Sequence, residues 1–415
     1  MKSILKKRLL FLVAFGFSKA TVFFAPLLLS NQLTKTDYGS FEYALNIAFI
    51  AASIISLGVT SAYPYFKLKR NLKTIFVGFK VFYMYLLVSS LILLCIILLF
   101  YNSFELILSV LFMYTLSNQM MYSTIDKTNE NIIKAVITDS MFYIVLLLAY
   151  VFMYFTQRSN INFVFYFSIC YSVFYITLTL KNAVKLNSHN IKRYLKLVKY
   201  GKSVMISGCL ILLVANSGRL LVEYIFNNKN LIAIFSFYFR MASFVLIIHQ
   251  VLSIIYFKKI YTFSLKKLDR FFSVFLIIIL CSVIITFFVV PLFGIHFFKL
   301  FETFETYKLS YNILCFQMFF WIVLANNESV IYRENLASKM NYGFGVLLIL
   351  FFIVSYFIKD VVSFYQTVLI LYVLVIIATA IQFFILYKYK KMFLKNTILI
   401  SAFTLIISLI SFIWL

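Results

Sequence analysis

The stretch FFSVFLIIILCSVIITFFVVPLF, residues 271–293, has no charged side chain and is long enough to cross a lipid bilayer. A membrane-spanning helix needs about 20 predominantly apolar residues, and similar stretches recur along the chain. Hydrophobic residues make up 64% of the 415 residues and charged residues only 12%, against about 25% charged in soluble domains. The sequence therefore predicts an all-α, polytopic membrane protein. Runs of this length exclude an outer-membrane barrel, whose strands alternate over about 10 residues.

Hydropathy divides the chain into a regular series of spans. We predict membrane helices at 9–33, 41–66, 75–101, 104–125, 135–156, 161–180, 203–226, 231–257, 271–293, 309–331, 342–358, 362–387 and 397–415. The first should persist in the mature protein, because it is too long for the apolar core of a cleaved signal. The last is short, and we treat it as an additional thirteenth helix.

The segments that connect the spans differ strongly in positive charge. With a cytoplasmic N-terminus, the inner segments hold 28 Lys and Arg residues and the outer segments hold 6. The positive-inside rule predicts this orientation. The same asymmetry accounts for most of the net charge of +25, so no nucleic-acid partner is needed to explain it.

The longest connecting segment divides the predicted spans into two sets. We expect an N-terminal six-helix lobe at 1–180, a basic cytoplasmic linker at 181–202 and a C-terminal six-helix lobe at 203–387. Residues 388–415 would form a basic loop and the extra helix. Because six is even, both lobes begin on the same side, as in parallel repeats. This predicts two bundles around a central cavity.

Four basic residues lie within these spans: Lys19, Lys80, Arg219 and Arg240. A cation at the centre of a membrane helix costs roughly 2.5–3.5 kcal/mol. At about 1.5 Å of rise per residue, Lys19 and Arg240 lie near the middle of the bilayer and Arg219 lies in the outer half. Lys80 can extend to the cytoplasmic surface. We therefore expect Lys19, Arg219 and Arg240 to line a hydrated cavity and hold an anion such as phosphate.

The counter-charges available within the spans are few. Glu223 follows Arg219 by four residues and could pair with it on one helix face. Asp139 and Glu328 lie near the inner ends of their spans, so we expect no carboxylate at the depth of Lys19. The alternative for each cation is a structural ion pair or bonds to backbone carbonyls.

Three further features could serve transport. Asp139, Glu328 and His249 are candidates for ion coupling, although His249 also suits a hydrogen-bonded packing role. Pro26 should kink the first helix, either as a hinge for gating or as a bend that fits the bundle.

Other site chemistry is not indicated. The five cysteines lie in apolar runs and the three histidines lack metal-ligand spacing, so we expect neither disulfides nor metal. No stretch fits the nucleotide-binding glycine loop. We expect no cofactor and no enzymatic activity.

Two regions add a more specific signal. Gly16-Phe17-Ser18-Lys19, Pro26-Leu27-Leu28-Leu29 and Leu33-Thr34-Lys35-Thr36-Asp37-Tyr38-Gly39-Ser40-Phe41 form the first. Arg219 with Ile234-Phe235-Ser236-Phe237 forms the second. Together they resemble the polysaccharide-unit flippases of the multidrug/oligosaccharidyl-lipid/polysaccharide exporter superfamily. Such proteins often have an aspartate before the arginine, where this chain has Gly218.

The resemblance implies a function and a setting. It implies a flippase in the bacterial inner membrane that moves undecaprenyl-diphosphate-linked oligosaccharide before O-antigen or capsule polymerisation. It implies that helices 1, 2, 7 and 8 surround the central cavity, and Lys19, Arg219 and Arg240 lie on three of these. A polysaccharide polymerase and a chain-length regulator would be its partners, together with the bilayer.

Two other functions compete with this prediction. An ion-coupled multidrug exporter of the same superfamily would want buried carboxylates for cationic substrates, and the mid-depth charges here are positive. A membrane-embedded polysaccharide polymerase would want a large outer loop, and the longest outer stretch, 294–308, is short.

Overall fold

The computed structural model describes residues 2–72, 74–249, 260 and 263–414. Within these ranges the chain is mainly helical and contains no β-strand. The α-helices with described bounds are α1 (Lys2–Gln32), α2 (Lys35–Ile55), α3 (Val59–Pro64), α4 (Ile75–Phe100), α5 (Phe104–Thr128), α6 (Ile132–Thr156), α7 (Asn162–Lys181), α8 (Ser188–Asn216), α9 (Gly218–Phe226), α10 (Lys229–Ala242), α11 (Leu265–Phe297), α12 (Phe304–Arg333), α13 (Ala337–Ile358), α14 (Phe364–Lys390) and α15 (Lys395–Trp414).

Twelve helical segments in the described ranges are long and apolar enough to cross a membrane. They correspond to twelve of the thirteen predicted spans and confirm an all-α, multi-pass membrane fold. The remaining predicted span, 104–125, is α5, a continuous helix of 25 residues with Asn118 and Gln119 in its middle. These polar side chains are buried. The predicted span 231–257 lies outside the described residues from residue 250 onward.

The predicted linker 181–202 is mostly helical, which corrects the expectation of a loop. Because α8 begins at Ser188, only residues 182–187 connect it to α7. Tyr194, Leu197 and Gly201 of this basic segment are buried, and its lysines face outward, as in an amphipathic helix. The chain forms two compact units, Met1–Cys209 and Leu210–Leu415, so the division falls within α8.

Two predicted spans are interrupted. Span 41–66 breaks at residues 56–58, where α2 ends and Gly58 adopts a left-handed conformation with φ 68°. A Cβ on Gly58 would lie 2.1 Å from the Gly201 carbonyl oxygen, so only glycine allows this backbone approach to α8. Span 203–226 breaks at Ser217, between α8 and α9. By contrast, α1 runs through Pro26 as one continuous helix.

The N-terminal unit is built around α5. α2 packs along α5, α1 packs along α6, and α6 and α7 pack against α5. Phe41, Phe112 and Phe142 connect α2, α5 and α6 through edge-to-face ring contacts at 5.9 and 5.0 Å. Thr34 accepts a hydrogen bond from the Asp37 backbone N–H at 3.1 Å and so caps α2. The turn motif seen in the sequence therefore begins α2 and delivers Phe41 to the core.

The C-terminal unit has α12 at its centre, in contact with α10, α11, α14 and α15. The extra helix α15 belongs to this unit. Asp269 of α11 accepts hydrogen bonds from the backbone N–H groups of Asn396 and Thr397 at 3.0 Å each, and from the Thr397 hydroxyl at 2.7 Å. These bonds satisfy free donors at the N-terminus of α15. The Tyr372 and Ser408 hydroxyls, 2.7 Å apart, bind its other end to α14.

Candidate functional site

Lys19 lies on the face of α1 that packs against α6. The preceding Ser18 hydroxyl donates to the Val136 carbonyl at 3.2 Å, which sets the register between the two helices. Lys19 is half-buried, and its Nζ lies 5.5 Å from the centre of the Phe15 ring. No salt bridge within 4.0 Å joins it to a carboxylate of the described residues.

Two charged side chains nevertheless interact electrostatically with Lys19. They are Asp139 of α6 and Lys127 of α5. Lys127 Nζ lies 2.7 Å from Asp139 Oδ2, and these side chains are 56% and 41% exposed. Lys19, Lys127 and Asp139 form what we call the α1/α5/α6 charge cluster, with two cations and one carboxylate. The sequence predicts no carboxylate at the depth of Lys19, and Asp139 is the carboxylate that acts on its charge.

The backbone beneath this cluster is held by Gln119 of α5. Its amide nitrogen donates to the Asp139 carbonyl at 2.6 Å, and its amide oxygen accepts from the Phe142 backbone N–H at 2.8 Å. Both hydrogen bonds join α5 to α6.

The sequence prediction missed Lys127 because it placed this residue in a loop, whereas α5 extends to Thr128. The signal in the sequence for this helix interface was the polar pair Asn118 and Gln119, because polar side chains within a span mark a buried contact between helices.

Arg219 is 6% exposed and lies in the first turn of α9. Its Nε donates to the Ser236 hydroxyl of α10 at 2.8 Å, and its guanidinium carbon lies 5.2 Å from the centre of the Phe239 ring. A hydrogen bond and a cation–π contact thus orient the guanidinium. Ser236 belongs to the second motif that the sequence singled out. We call Arg219, Ser236 and Phe239 the α9/α10 arginine cluster.

Gly218 lies against packed side chains that leave no room for a Cβ. A Cβ at Gly218 would lie 2.2 Å from Cζ of Phe235 and 3.1 Å from Cδ1 of Leu371. The ring therefore occupies the volume that an aspartate side chain would need. Ser236, one residue after that ring, supplies the polar contact to Arg219.

Glu223 has a different partner from the expected one. Its Oε1 lies 2.7 Å from Lys229 Nζ, at the start of α10. Because α9 ends at Phe226, this salt bridge closes the turn between the two helices. The predicted pair between Glu223 and Arg219 is thus replaced by a pair with a cation across the turn.

The remaining predicted site residues are Arg240, Glu328 and His249. Arg240 is half-buried in the last turn of α10, a position where a cation complements the helix dipole. Glu328 of α12 accepts a side-chain hydrogen bond from Tyr332, one turn further on. His249 is buried with its ring 5.7 Å from that of Phe275, and its Nδ1 has no hydrogen-bond partner within the described ranges.

The fold defines a polytopic α-helical membrane protein with cations inside its spans. Among solved structures, the chain is similar to the Lipid II flippase MurJ in an inward closed conformation. The two share a TM-score of 0.69 at 15% identity, over 97% of this chain and 92% of that one. This likeness establishes the fold. No protein-family model and no curated protein matches the chain.

Proposed function

We propose that this chain is a flippase for undecaprenyl-diphosphate-linked oligosaccharide repeat units in the bacterial inner membrane, serving O-antigen or capsule synthesis. The observation that carries the proposal is the α1/α5/α6 charge cluster, which holds two lysines and one carboxylate within a fold like that of a solved lipid II flippase. Lys19 lies inside a membrane span, and an anionic occupant or water would offset the insertion cost of its charge.

The mechanism we propose is alternating access. The diphosphate and sugars would enter a hydrated cavity from the cytoplasmic side, with the prenyl tail remaining in lipid. Lys19, Arg219 and Arg240 would hold the diphosphate through charge-assisted hydrogen bonds. Rocking of the two lobes would then open the cavity to the periplasm. The N-terminus would remain cytoplasmic, as the distribution of lysine and arginine favours.

The structure bears on both competing functions. A drug exporter for cationic substrates would need carboxylates to outnumber cations at its site, whereas the α1/α5/α6 charge cluster holds two lysines and one carboxylate. A polymerase would need a large outer loop with catalytic groups. The outer stretch 294–308 is instead occupied by the end of α11, a 3₁₀ turn at Lys299–Thr303 and the start of α12.

Deletion in the native host tests the function directly. We expect loss of surface glycan and accumulation of lipid-linked precursor units. Unchanged surface glycan would favour the exporter. Accumulation of single units linked to short glycan chains would favour the polymerase.

Single substitutions test the cations. Lys19→Ala or Arg240→Ala should block export while the protein still reaches the membrane at normal levels. Lys80→Ala is the matched control, since Lys80 also lies in a span and its Nζ rests 5.5 Å from the Phe76 ring centre. Normal export from both Lys19→Ala and Arg240→Ala would contradict the proposed role.

A further inference from the structure

Two ion pairs join α5 to α6, and they point in different directions. Asp126 pairs with Lys134 at 3.2 Å, and Lys127 pairs with Asp139 at 2.7 Å. Consecutive residues on a helix project about 100° apart, so Asp126 and Lys127 leave α5 on different sides. The two pairs are similar in chemistry and come from the same two helices.

The surroundings of the two pairs differ. Asp126 and Lys134 border a mainly apolar pocket of about 1330 Å³, together with Ile137 and Met141. Neither Lys127 nor Asp139 lines that pocket. Lys19 follows Ser18, whose hydroxyl donates to the Val136 carbonyl one turn before Asp139, so the Lys127–Asp139 pair lies near a third charge.

The two pairs also differ in the number of lysines near each carboxylate. Asp126 balances Lys134, whereas Asp139 must balance both Lys127 and Lys19. Asp139 contacts Lys127 directly, and Lys19 has no carboxylate of the described ranges within 4.0 Å. Both members of the Lys127–Asp139 pair are also substantially exposed. An anion can therefore reach the Lys127–Asp139 pair while both helices stay folded.

We propose that Lys127 is a second diphosphate-binding cation beside Lys19, and that Asp139 holds Lys127 until the substrate's diphosphate displaces it. This inference rests on the proposed function and names the groups that recognise the substrate's anionic part. A diphosphate carries several oxygens and can accept hydrogen bonds from two ammonium groups, whereas the carboxylate of Asp139 serves mainly one. Asp139 is then a competitor of the substrate.

This role predicts that substitutions of Lys127 and of Asp139 change the affinity for a diphosphate in opposite directions. Lys127→Ala should weaken binding of farnesyl diphosphate to the purified full chain about tenfold, because one charge-assisted contact is lost. Asp139→Asn should strengthen binding several-fold, because the competing negative charge is removed while the side-chain shape is kept. Lys127→Arg should retain binding, and Lys134→Ala, the matched control, should leave the dissociation constant within about twofold.

Isothermal titration calorimetry in detergent, with farnesol and inorganic pyrophosphate as comparison ligands, measures these changes. Pyrophosphate should compete with farnesyl diphosphate, and farnesol should not. Equal affinities of Lys127→Ala and Lys134→Ala, or weaker binding by Asp139→Asn, would overturn the inference. If the Lys127 and Asp139 variants gave such results but Lys19→Ala abolished binding, the proposed function would stand and only the role of Lys127 would be lost. Absence of diphosphate binding by the unaltered chain would remove both.

Discussion

The two units accommodate a cation inside the membrane in different ways. In the N-terminal unit, Lys19 is half-buried beside a second lysine and an exposed carboxylate. In the C-terminal unit, Arg219 is buried, and two of its partners, Ser236 and Phe239, are uncharged. An ammonium on a flexible stem suits an open, exchangeable cluster, and a planar guanidinium suits a fixed one. We infer that the first cluster is arranged for exchange of partners and the second for a fixed geometry.

The units also break their helices differently. The N-terminal unit uses a glycine contact, in which Gly58 lies directly against Gly201 of α8. The C-terminal unit breaks at Ser217 and places Gly218 against an aromatic side chain. Backbone cannot move aside as a side chain can, so the first contact should tolerate less change.

The largest effect should come from Gly201→Ala. Its Cβ would lie 2.3 Å from the Gly58 carbonyl oxygen, so α3 and α8 must separate. We expect a loss of about 3 kcal/mol in unfolding free energy, the upper part of the range for overpacking. Thermal unfolding in detergent measures it. Gly208→Ala, on the same helix with open space around its Cβ, is the control and should unfold near the original temperature.

Asp269→Ala should come next in size, and it tests the helix that only the C-terminal unit carries. Three hydrogen bonds to the start of α15 would be lost, and we expect a cost of about 2 kcal/mol. Hydrogen exchange should become faster at Asn396 and Thr397. Unchanged protection there would mean that α15 is held by its far end, where Tyr372 meets Ser408.

Ser236→Ala tests the fixed cluster. Removing the hydroxyl leaves Arg219 Nε without this acceptor in a buried site, and we expect about 1.5 kcal/mol of destabilisation. Ser236→Thr keeps a hydroxyl and serves as the control in the same thermal unfolding measurement. If alanine and threonine behaved alike, the hydrogen bond would not be what holds the guanidinium.

The smallest effect on stability should come from Lys127→Ala, which tests the exchangeable cluster. The salt bridge that it removes is largely exposed, so it should contribute under about 1 kcal/mol to folding. The same variant should lose about tenfold in diphosphate affinity. A larger loss of stability here than in Ser236→Ala would reverse our contrast between the two clusters.

The spans were predictable because membrane insertion imposes length and apolarity on each helix separately. Residues 271–293 could be recognised without any tertiary contact. Helix ends within polar segments were less predictable. Residues 188–202 have the composition of a basic loop, yet they form a helix in which Tyr194, Leu197 and Gly201 are buried. Lys127 was likewise assigned to a loop, because it lies in a polar segment at the end of a helix.

The sequence by itself determined that this is a polytopic helical membrane protein with lysine and arginine inside its spans, since hydropathy and charge are properties of each segment. Only the tertiary structure decided the partners of those cations. It paired Glu223 with Lys229 and Asp139 with Lys127, and it gave Arg219 a serine, because such contacts depend on which helix faces pack together. Helix register, such as that set by Ser18 against Val136, is a property of two segments at once.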